Sequence, residues 1–271
     1  MRQAEIPFNH PRARSLQIRE KLVEYYRRGV VALEGLIAHG RGEAFDYLLG
    51  EKTIDSALKA IRAAAATMLL AKHPVISVNG NVAALAAEDV VNLARLTGAK
   101  IEVNLFYRSL ERELAIKQVL EKAGADEVLG VGEAASAQIP EICSKRRYVD
   151  PRGILAADVV LVPLEDGDRT EALRKIGKTV IAIDLNPLSR TAQCASITIV
   201  DNVVRTLPLL AKNVAELKNE KTETLQRIVS EFNNKEVLAE VIETILKRLS
   251  ELAEKGVYIP EASEIHHSEV K

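Results

Sequence analysis

Short runs of β-branched residues alternate with amphipathic helical segments through the middle of this 271-residue chain. Nearly continuous apolar strands separated by such helices are typical of a parallel sheet covered by helices on both faces. We therefore predict an α/β fold of three layers with a Rossmann-like parallel sheet. The predicted strands are 75–78, 101–106, 159–162, 180–183 and 197–200, and the helices between them are 83–96, 110–123 and 169–176.

Both ends of the chain are predicted to be helical. The predicted helices are 15–28, 54–72, 225–232 and 238–252. The last two have the spacing of helices with one apolar stripe, and Asn233 and Asn234 mark the break between them. A stripe of this length must be buried, either on the α/β body or on a second subunit, and the sequence leaves both open.

This pattern predicts a single catalytic domain with four parts. Residues 1–72 form an N-terminal helical part and 73–202 form the α/β core. Residues 203–256 form the C-terminal helices, and 257–271 are expected to be a mobile tail.

Charge and composition exclude several classes of protein. The chain has 37 Lys and Arg against 38 Asp and Glu, so it lacks the basic excess typical of nucleic-acid binders. Two distant cysteines and the histidine spacing predict neither a disulfide framework nor a structural metal site. No apolar run approaches the roughly 20 residues of a membrane span, and the first 15 residues contain no signal-peptide core. We expect a cytoplasmic protein, and a composition with no Trp, two Met, few aromatics and many Lys and Glu suits a thermophile.

Two nucleotide-binding motifs occur only in part. Residues 177–179 read Gly-Lys-Thr, but they precede a strand, so the Walker A interpretation fails. Residues 130–135 fit G-x-G-x-x-A, with Asp150 at a suitable distance for a ribose contact. The strand before this turn is short and Pro140 interrupts the expected helix, which favours a plain Gly-rich turn over a dinucleotide site.

Four polar clusters follow predicted strands, where open parallel sheets bind ligands. Residues 79–81 (Asn79, Gly80, Asn81) open a helix and can meet an anion with backbone N–H groups. The carboxylates of residues 165–171 suit Mg²⁺ or an amine, and 184–191 offer an acid, an amide and an Arg for a nucleotide. Asp201 and Asn202 end the next strand. Each cluster alone can be a turn or a helix cap, but the four together favour a phosphate-bearing ligand.

Several cations and one histidine lie outside these clusters. Arg41 lies between Gly40 and Gly42, where we predict a loop that brings a guanidinium close to a ligand, and the alternative is a helix-ending loop with a solvated Arg. Arg19 lies on an apolar helix face, either paired with a structural carboxylate or directed into the site. His39 can act as an acid or base or as a structural residue.

Taken in order, these segments resemble the archaeal phosphopantothenate synthetase family, whose members are 4-phosphopantoate–β-alanine ligases. The resemblance covers roughly residues 6–255. The matching strings are 9–12, 35–47, 74–81, 102–108, 162–170 and 184–191.

The resemblance implies an enzyme that condenses 4-phosphopantoate with β-alanine, cleaves ATP to AMP and pyrophosphate, and acts in coenzyme A biosynthesis. It also implies a homodimer, and Mg²⁺ is expected beside ATP because charge develops on pyrophosphate. The ATP contacts that it implies are Arg19, Arg41, Asp184, Leu185, Asn186, Arg190, Thr191, Asn202 and Val203. Candidate contacts of the other substrates are His39, Asn79, Asn81, Arg108, Glu165, Asp166 and 145–147; no general base is identified.

Two alternatives remain at this stage. A nicotinamide-dependent oxidoreductase would use the turn at Gly130, although a strong dinucleotide fingerprint is absent. A non-enzymatic nucleotide sensor would need the same ATP pocket as a ligase, so the sequence does not separate these two.

Overall fold

The computed structural model describes residues 7, 10 and 12–256, and the tail predicted to be mobile, 257–271, lies outside the described residues. A parallel sheet is formed by β1 (Pro74–Val78), β2 (Lys100–Val103), β5 (Val159–Pro163), β6 (Thr179–Ile183) and β7 (Ile197–Ile199). A short antiparallel pair is formed by β3 (Ala137–Gln138) and β4 (Tyr148–Val149). The predicted parallel α/β fold is confirmed.

Helices surround this sheet in the part of the chain that is described. They are α1 (Ala13–Arg27), α2 (Leu33–Leu49), α3 (Asp55–Leu70), α4 (Gly80–Thr97), α5 (Leu110–Lys122), α6 (Gly167–Lys175), α7 (Arg190–Cys194), α8 (Val203–Leu217), α9 (Thr222–Ser230) and α10 (Asn234–Lys255). Successive residues of a strand point to opposite faces. Leu161 and Ile181 join one buried cluster, whereas Val160 and Val180 join another, so both faces of the sheet are covered.

The strand order is β2, β1, β5, β6, β7, which places a reversal of direction at β1. The chain adds β2 on one side of β1, and later adds β5, β6 and β7 on the other side. The connections after β1 and β5 therefore diverge at the carboxyl ends of these neighbouring strands. Ligands of open α/β sheets bind in the crevice at such a switch point.

The structure corrects the predicted loop around Arg41, because residues 38–43 lie inside α2. Glycine disfavours a helix by about 1 kcal/mol relative to alanine, but packing often overrides this preference. At Gly35 an added Cβ would lie 2.3 Å from Oδ1 of Asn81, so the helix approaches the start of α4 too closely for a side chain. Both sequence interpretations of this segment, a ligand loop and a helix-ending loop, are wrong.

The predicted strand 101–106 is also too long, since β2 ends at Val103. The side-chain Nδ2 of Asn104 donates to the carbonyl oxygens of Arg146 and Tyr148, at 3.1 and 3.2 Å. These bonds connect the end of β2 to β4 and to the segment just before it. The residues after Asn104 form a loop.

The C-terminal apolar stripe is divided between burial and exposure. Asn233 caps α10 by accepting hydrogen bonds from the backbone N–H groups of Lys235 and Glu236, which confirms the predicted break. The first half of α10 buries Val237, Leu238 and Val241. The stripe continues into three exposed side chains at Ile242, Leu246 and Leu249.

A buried carboxylate on β2 holds the turn that follows β4. Glu102 is fully buried and accepts hydrogen bonds from the backbone N–H groups of Asp150 and Ile154, at 3.0 and 2.5 Å. At Gly153 an added Cβ would lie 1.9 Å from Oε2 of Glu102, so the turn accommodates the carboxylate only with glycine there. Burial raises the pKa of Glu102 from its ordinary 4.5 to about 7, although the two backbone donors oppose the shift.

We predict that this carboxyl makes folding pH-dependent. Its pKa is raised in the folded state, so its contribution to stability is greatest at low pH and declines between pH 4.5 and about 7. We compare the free energy of unfolding of the native chain with that of Glu102→Gln. The native value minus the variant value should be lower at pH 8 than at pH 5 by on the order of 3 kcal/mol. Urea denaturation at both pH values measures this difference, and a difference that grows with pH would contradict the assignment.

Candidate functional site

Polar side chains from several elements meet around a cavity at the switch point. The cavity has a volume of about 340 Å³ and lies beside the carboxyl ends of β1, β2 and β5. Its polar and charged lining residues are Glu34, Arg41, Asn79, Asn81, Tyr107, Arg112, Arg146 and Asp166. Three of the four polar clusters predicted at the sheet edge lie next to β1, β5 and β6, and the fourth follows β7.

Asn79 and Asn81 use their side chains to hold the cavity walls together. Asn79 Oδ1 accepts a hydrogen bond from Val82 N at 3.1 Å and caps α4, while its Nδ2 donates to the carbonyl oxygens of Pro163 and Leu164. Asn81 Nδ2 donates to Gly35 O at 2.9 Å and ties α4 to α2. The side-chain amides are occupied, so an anion would meet the backbone N–H groups of the first turn of α4.

A buried group of charges stands behind the cavity. Glu165 Oε2 accepts from Arg146 Nη1 at 3.0 Å and also from Arg169 Nη1, and the Glu165 side chain is 1% exposed. Arg169 in turn donates to Ser77 Oγ at 3.1 Å. Burial lowers the pKa of Arg169, while Glu165 opposes that shift. Glu165 therefore positions two guanidinium groups and has little surface to offer to a ligand.

Asp166 is the more accessible carboxylate of this cluster. Its Oδ2 lies 2.8 Å from Arg146 Nε, and its side chain is 42% exposed, against 1% for Glu165. Burial raises the pKa of Asp166, and Arg146 counteracts the increase. Of the two acids named from the sequence, Asp166 is the one that faces the cavity.

Arg112 lines the cavity and was not found by sequence reasoning. It lies in the first turn of α5, and its guanidinium donates to Tyr107 O and, at 3.2 Å, to Val30 O. A cation near a helix N-terminus opposes the helix dipole. An Arg at the start of a predicted helix that follows a predicted strand was therefore the sequence signal that could have identified Arg112.

Arg108, another candidate substrate contact, lies outside the switch-point cavity. It forms an ion pair with Glu113 and lies over the ring of Tyr148, 5.7 Å from the ring centroid. Together with Lys145 it lines a neighbouring cavity of about 480 Å³ beside Gly132. The structure thus separates Arg108 and Lys145 from Asn79 and Asn81.

Helices α1 and α2 carry a second group of candidate residues. Arg19 Nη2 lies 2.7 Å from Glu43 Oε2, so it is paired with a carboxylate, which was one of the two alternatives. Nε2 of His39 is buried without a hydrogen-bond partner in the described residues, and burial lowers the pKa of His39. Its imidazole is therefore neutral near pH 7.

The loop after β6 is organised by Asp184. Its Oδ1 accepts from Asn186 N at 3.0 Å, and its Oδ2 accepts from the hydroxyl of Ser189, which caps α7. Burial raises the pKa of Asp184. Arg190 is exposed and paired with Glu171, while Thr191 Oγ1 donates to Glu165 O at 2.9 Å.

The loop after β7 is fixed to α2 by charge. Arg205 lies between Asp46 and Asp201, donating to Asp46 Oδ1 at 2.6 Å and to Asp201 Oδ1 at 2.5 Å. Asn202 Nδ2 donates to Asp46 Oδ2 at 3.0 Å, and its Oδ1 caps α8 at Val204 N. The side chain of Asn202 is occupied, so a ligand here would contact the backbone at Asn202 and Val203.

Comparison with known proteins gives matches over almost the whole chain. The family model described as phosphopantothenate/pantothenate synthetase matches residues 56–248. The 4-phosphopantoate–β-alanine ligase of Thermococcus kodakarensis is 52% identical over 254 residues, covering 93% of this chain and 97% of that protein. The ligases of the same name from Methanosarcina mazei and Methanospirillum hungatei are 52% and 50% identical, and cover 94% and 90% of this chain and 99% and 98% of their own lengths. The chain belongs to the phosphopantothenate/pantothenate synthetase family.

The partial nucleotide motifs have structural explanations in this synthetase family member. A single turn of 3₁₀ helix, Gly132–Ala134, follows Gly130 where a dinucleotide site needs a long helix. Asp150, the proposed ribose ligand, is buried and accepts three hydrogen bonds from Arg152. Lys178 donates to the carbonyl oxygens of Leu155 and Ala157, so its ammonium anchors a turn.

Two features are absent from the described residues of this family member. No helix within them is long and apolar enough to cross a membrane. The same residues contain no group of three or more His, Cys, Asp or Glu side chains that could hold a metal ion.

Proposed function

We propose that this protein is an ATP-dependent ligase that joins 4-phosphopantoate to β-alanine and forms 4′-phosphopantothenate. The observation that carries the proposal is the match to ligases of that name over at least 90% of this chain and 97% of theirs. The cavity at the switch point supports it, because it combines guanidinium groups with a helix N-terminus, as phosphate ligands require. The enzyme would act as a single catalytic domain, in the cytoplasm, on the route to coenzyme A.

The reaction proposed has two steps. A carboxylate oxygen of 4-phosphopantoate attacks the α-phosphorus of ATP, the bond to the oxygen bridging to the β-phosphate breaks, and pyrophosphate leaves. The amine of β-alanine then attacks the acyl carbon, loses a proton, and expels AMP. The imidazole of His39 is neutral and can accept a proton. His39 therefore remains one of the candidate substrate contacts.

We propose that ATP lies along the loops after β6 and β7, facing α2. The contacts proposed are Arg19, Arg41, Asp184, Leu185, Asn186, Arg190, Thr191, Asn202 and Val203. Packing supports this location, since an added Cβ at Gly42 would lie 3.7 Å from Leu185, and Asp46 bonds Asn202. Arg41 lines the switch-point cavity, so it belongs to both proposed subsites.

Mg²⁺ is proposed to bind together with ATP. In proteins Mg²⁺ is commonly held by one or two carboxylates plus substrate phosphates, so a cluster of protein ligands is not required. Glu34 and Asp166 are carboxylates that line the cavity and fit this role. Bound there, the ion would stabilise the charge that develops on pyrophosphate.

We predict the products of the reaction first. AMP and pyrophosphate should form only when Mg-ATP and 4-phosphopantoate are both present, with pantoate a poor replacement. Oxygen-18 in the carboxylate of 4-phosphopantoate should appear in AMP, because that oxygen forms the bond to the α-phosphorus. Release of ADP would refute the adenylate mechanism, nicotinamide reduction would favour an oxidoreductase, and ATP binding without turnover would favour a sensor.

A second prediction concerns the ATP contacts of Arg190 and Arg41. Replacing either by Ala should weaken ATP binding roughly ten- to hundredfold, the value of one charge-assisted contact. Glu171→Gln is the matched control, because it breaks the Arg190–Glu171 ion pair but keeps the guanidinium. Calorimetry should show undiminished ATP affinity in Glu171→Gln, and unchanged affinity in both Arg variants would remove ATP from this edge of the sheet.

A third prediction concerns assembly, which we propose to be a homodimer. Leu246 on α10 and Ile37 on α2 are 60% and 62% exposed, and because these two helices contact each other, both side chains suit burial at a subunit interface. Light scattering at micromolar concentration should give twice the mass of the chain. Leu246→Glu should shift the mass towards the monomer, whereas a monomeric native chain would refute the proposal.

A further inference from the structure

The charges around the switch-point cavity are unequally neutralised. Arg146 is neutralised by Glu165 and Asp166, whose oxygens lie 3.0 and 2.8 Å from its nitrogens. Arg41 is exposed on α2 and is free to be solvated. Arg112 is half-buried and forms no ion pair with a carboxylate of the described residues.

The guanidinium of Arg112 is held in place by backbone oxygens alone. It donates to Tyr107 O and Val30 O, and its Nε is buried without a partner in the described residues. Burial lowers the pKa of Arg112; the negative charge of Glu34 opposes this shift, and the positive charge of Arg146 adds to it. Arginine nevertheless stays protonated in proteins, so the cavity holds a guanidinium that Glu34 influences through space but that no carboxylate of the described residues contacts directly.

The start of α4 lies against the same backbone oxygen. At Gly80 an added Cβ would be 2.2 Å from Val30 O and 3.2 Å from Arg112 Nη2. Glycine therefore allows the first turn of an 18-residue helix to lie beside the guanidinium. The side chain of Asn79 accepts a hydrogen bond from the backbone N–H of Val82. It does not cap the backbone N–H groups of Gly80 and Asn81.

We propose that Arg112 is the residue by which the enzyme selects a phosphorylated substrate over its free alcohol. This inference rests on the proposed function and specifies its substrate recognition. A phosphate monoester carries a charge of about −1.5 to −2 at neutral pH, which matches a guanidinium that has no direct ion pair and lies next to a helix N-terminus. The hydroxyl of pantoate would leave the guanidinium unneutralised, and sites with unpaired buried polar groups discriminate strongly.

The geometry also explains why Arg112, rather than Arg108, performs this selection. Arg108 is neutralised by Glu113 in the neighbouring cavity, so binding a phosphate there would require that pair to open. Arg112 needs no such rearrangement, because backbone oxygens alone orient its guanidinium and no ion pair has to open.

The test compares selectivity in Arg112→Gln, Arg112→Lys and the native enzyme. In Arg112→Gln, kcat/KM for 4-phosphopantoate should fall about ten- to hundredfold, while kcat/KM for pantoate stays the same or rises. Arg112→Lys should recover part of the lost selectivity, since it keeps the charge but loses the planar geometry. The KM values for ATP and β-alanine should stay within about twofold, a split that a general loss of structure would not produce.

Arg95→Gln is the matched control. Arg95 also donates to a backbone oxygen, that of Gly124, but it lies near the amino end of β2, away from the switch-point cavity. It should not alter selectivity. Unchanged selectivity in Arg112→Gln would overturn the proposal, and a loss in Arg108→Gln instead would assign the phosphate to the neighbouring cavity.

Calorimetry with 4-phosphopantoate and with pantoate separates failure of this inference from failure of the proposed function. An enzyme without turnover that still binds 4-phosphopantoate through Arg112 would refute the ligase and keep the inference. A native chain that binds both compounds equally would overturn the inference, whatever the reaction is.

Discussion

The side-chain amide of Asn79 joins the two strands between which the sheet reverses its direction of growth. Its Nδ2 donates to Pro163 O and Leu164 O, at 3.1 and 3.0 Å, and its Oδ1 begins α4. Leu164 accepts this bond with a φ of +55°, a left-handed conformation that costs a non-glycine residue roughly 1–2 kcal/mol. The backbone pairing of β1 and β5 sets their spacing, and Asn79 links the loop after β5 to the first turn of α4, so two walls of the cavity meet at this side chain.

Charge is distributed around this junction in two different ways. Arg169 is fully buried and is stable there because Glu165 and Ser77 accept its hydrogen bonds. Arg112 has only backbone acceptors, so its charge remains available to an incoming anion. The first arrangement makes the site rigid, and the second gives it affinity for an anion. A site that neutralised every cation internally would be stable but would bind phosphate weakly.

The sequence predicted the sheet well because its strands are buried on both faces. Val160 and Leu161 face opposite clusters and are both apolar, so strands of this kind read as continuous apolar runs. The polar clusters after these strands were also placed at the correct edge. Their individual roles were harder to predict, because Asp, Asn and Ser serve both as ligands and as caps. Asp184 and Asn202 illustrate this, since their side chains are engaged in a turn and a helix cap.

Features that depend on contacts between distant segments were missed. The glycines of α2 indicate a loop locally, whereas Gly35 is needed for the approach of Asn81, which is 46 residues away in the sequence. Arg112 carries no motif, and its importance follows from its lack of a carboxylate partner. Arg108 belongs to a matching string, but its partner Glu113 lies beyond that string and removes its charge from the cavity. Sequence patterns identify candidate charges, but only the fold shows which of them are neutralised.

Helix α2 connects the two proposed subsites. It contacts Asn81 at Gly35, lies against Leu185 at Gly42, and holds Asn202 through Asp46. A ligase of this type must bring a carboxylate to the α-phosphorus and keep water from the activated acyl group. A glycine-bearing helix face suits that task, because it lies close to both loops without side chains that would occupy the space of the substrates. Arg41, on the same helix, lines the cavity, and with ATP in its proposed position it would lie where two anionic substrates repel each other. Its charge would offset that repulsion at the position where the new bond forms.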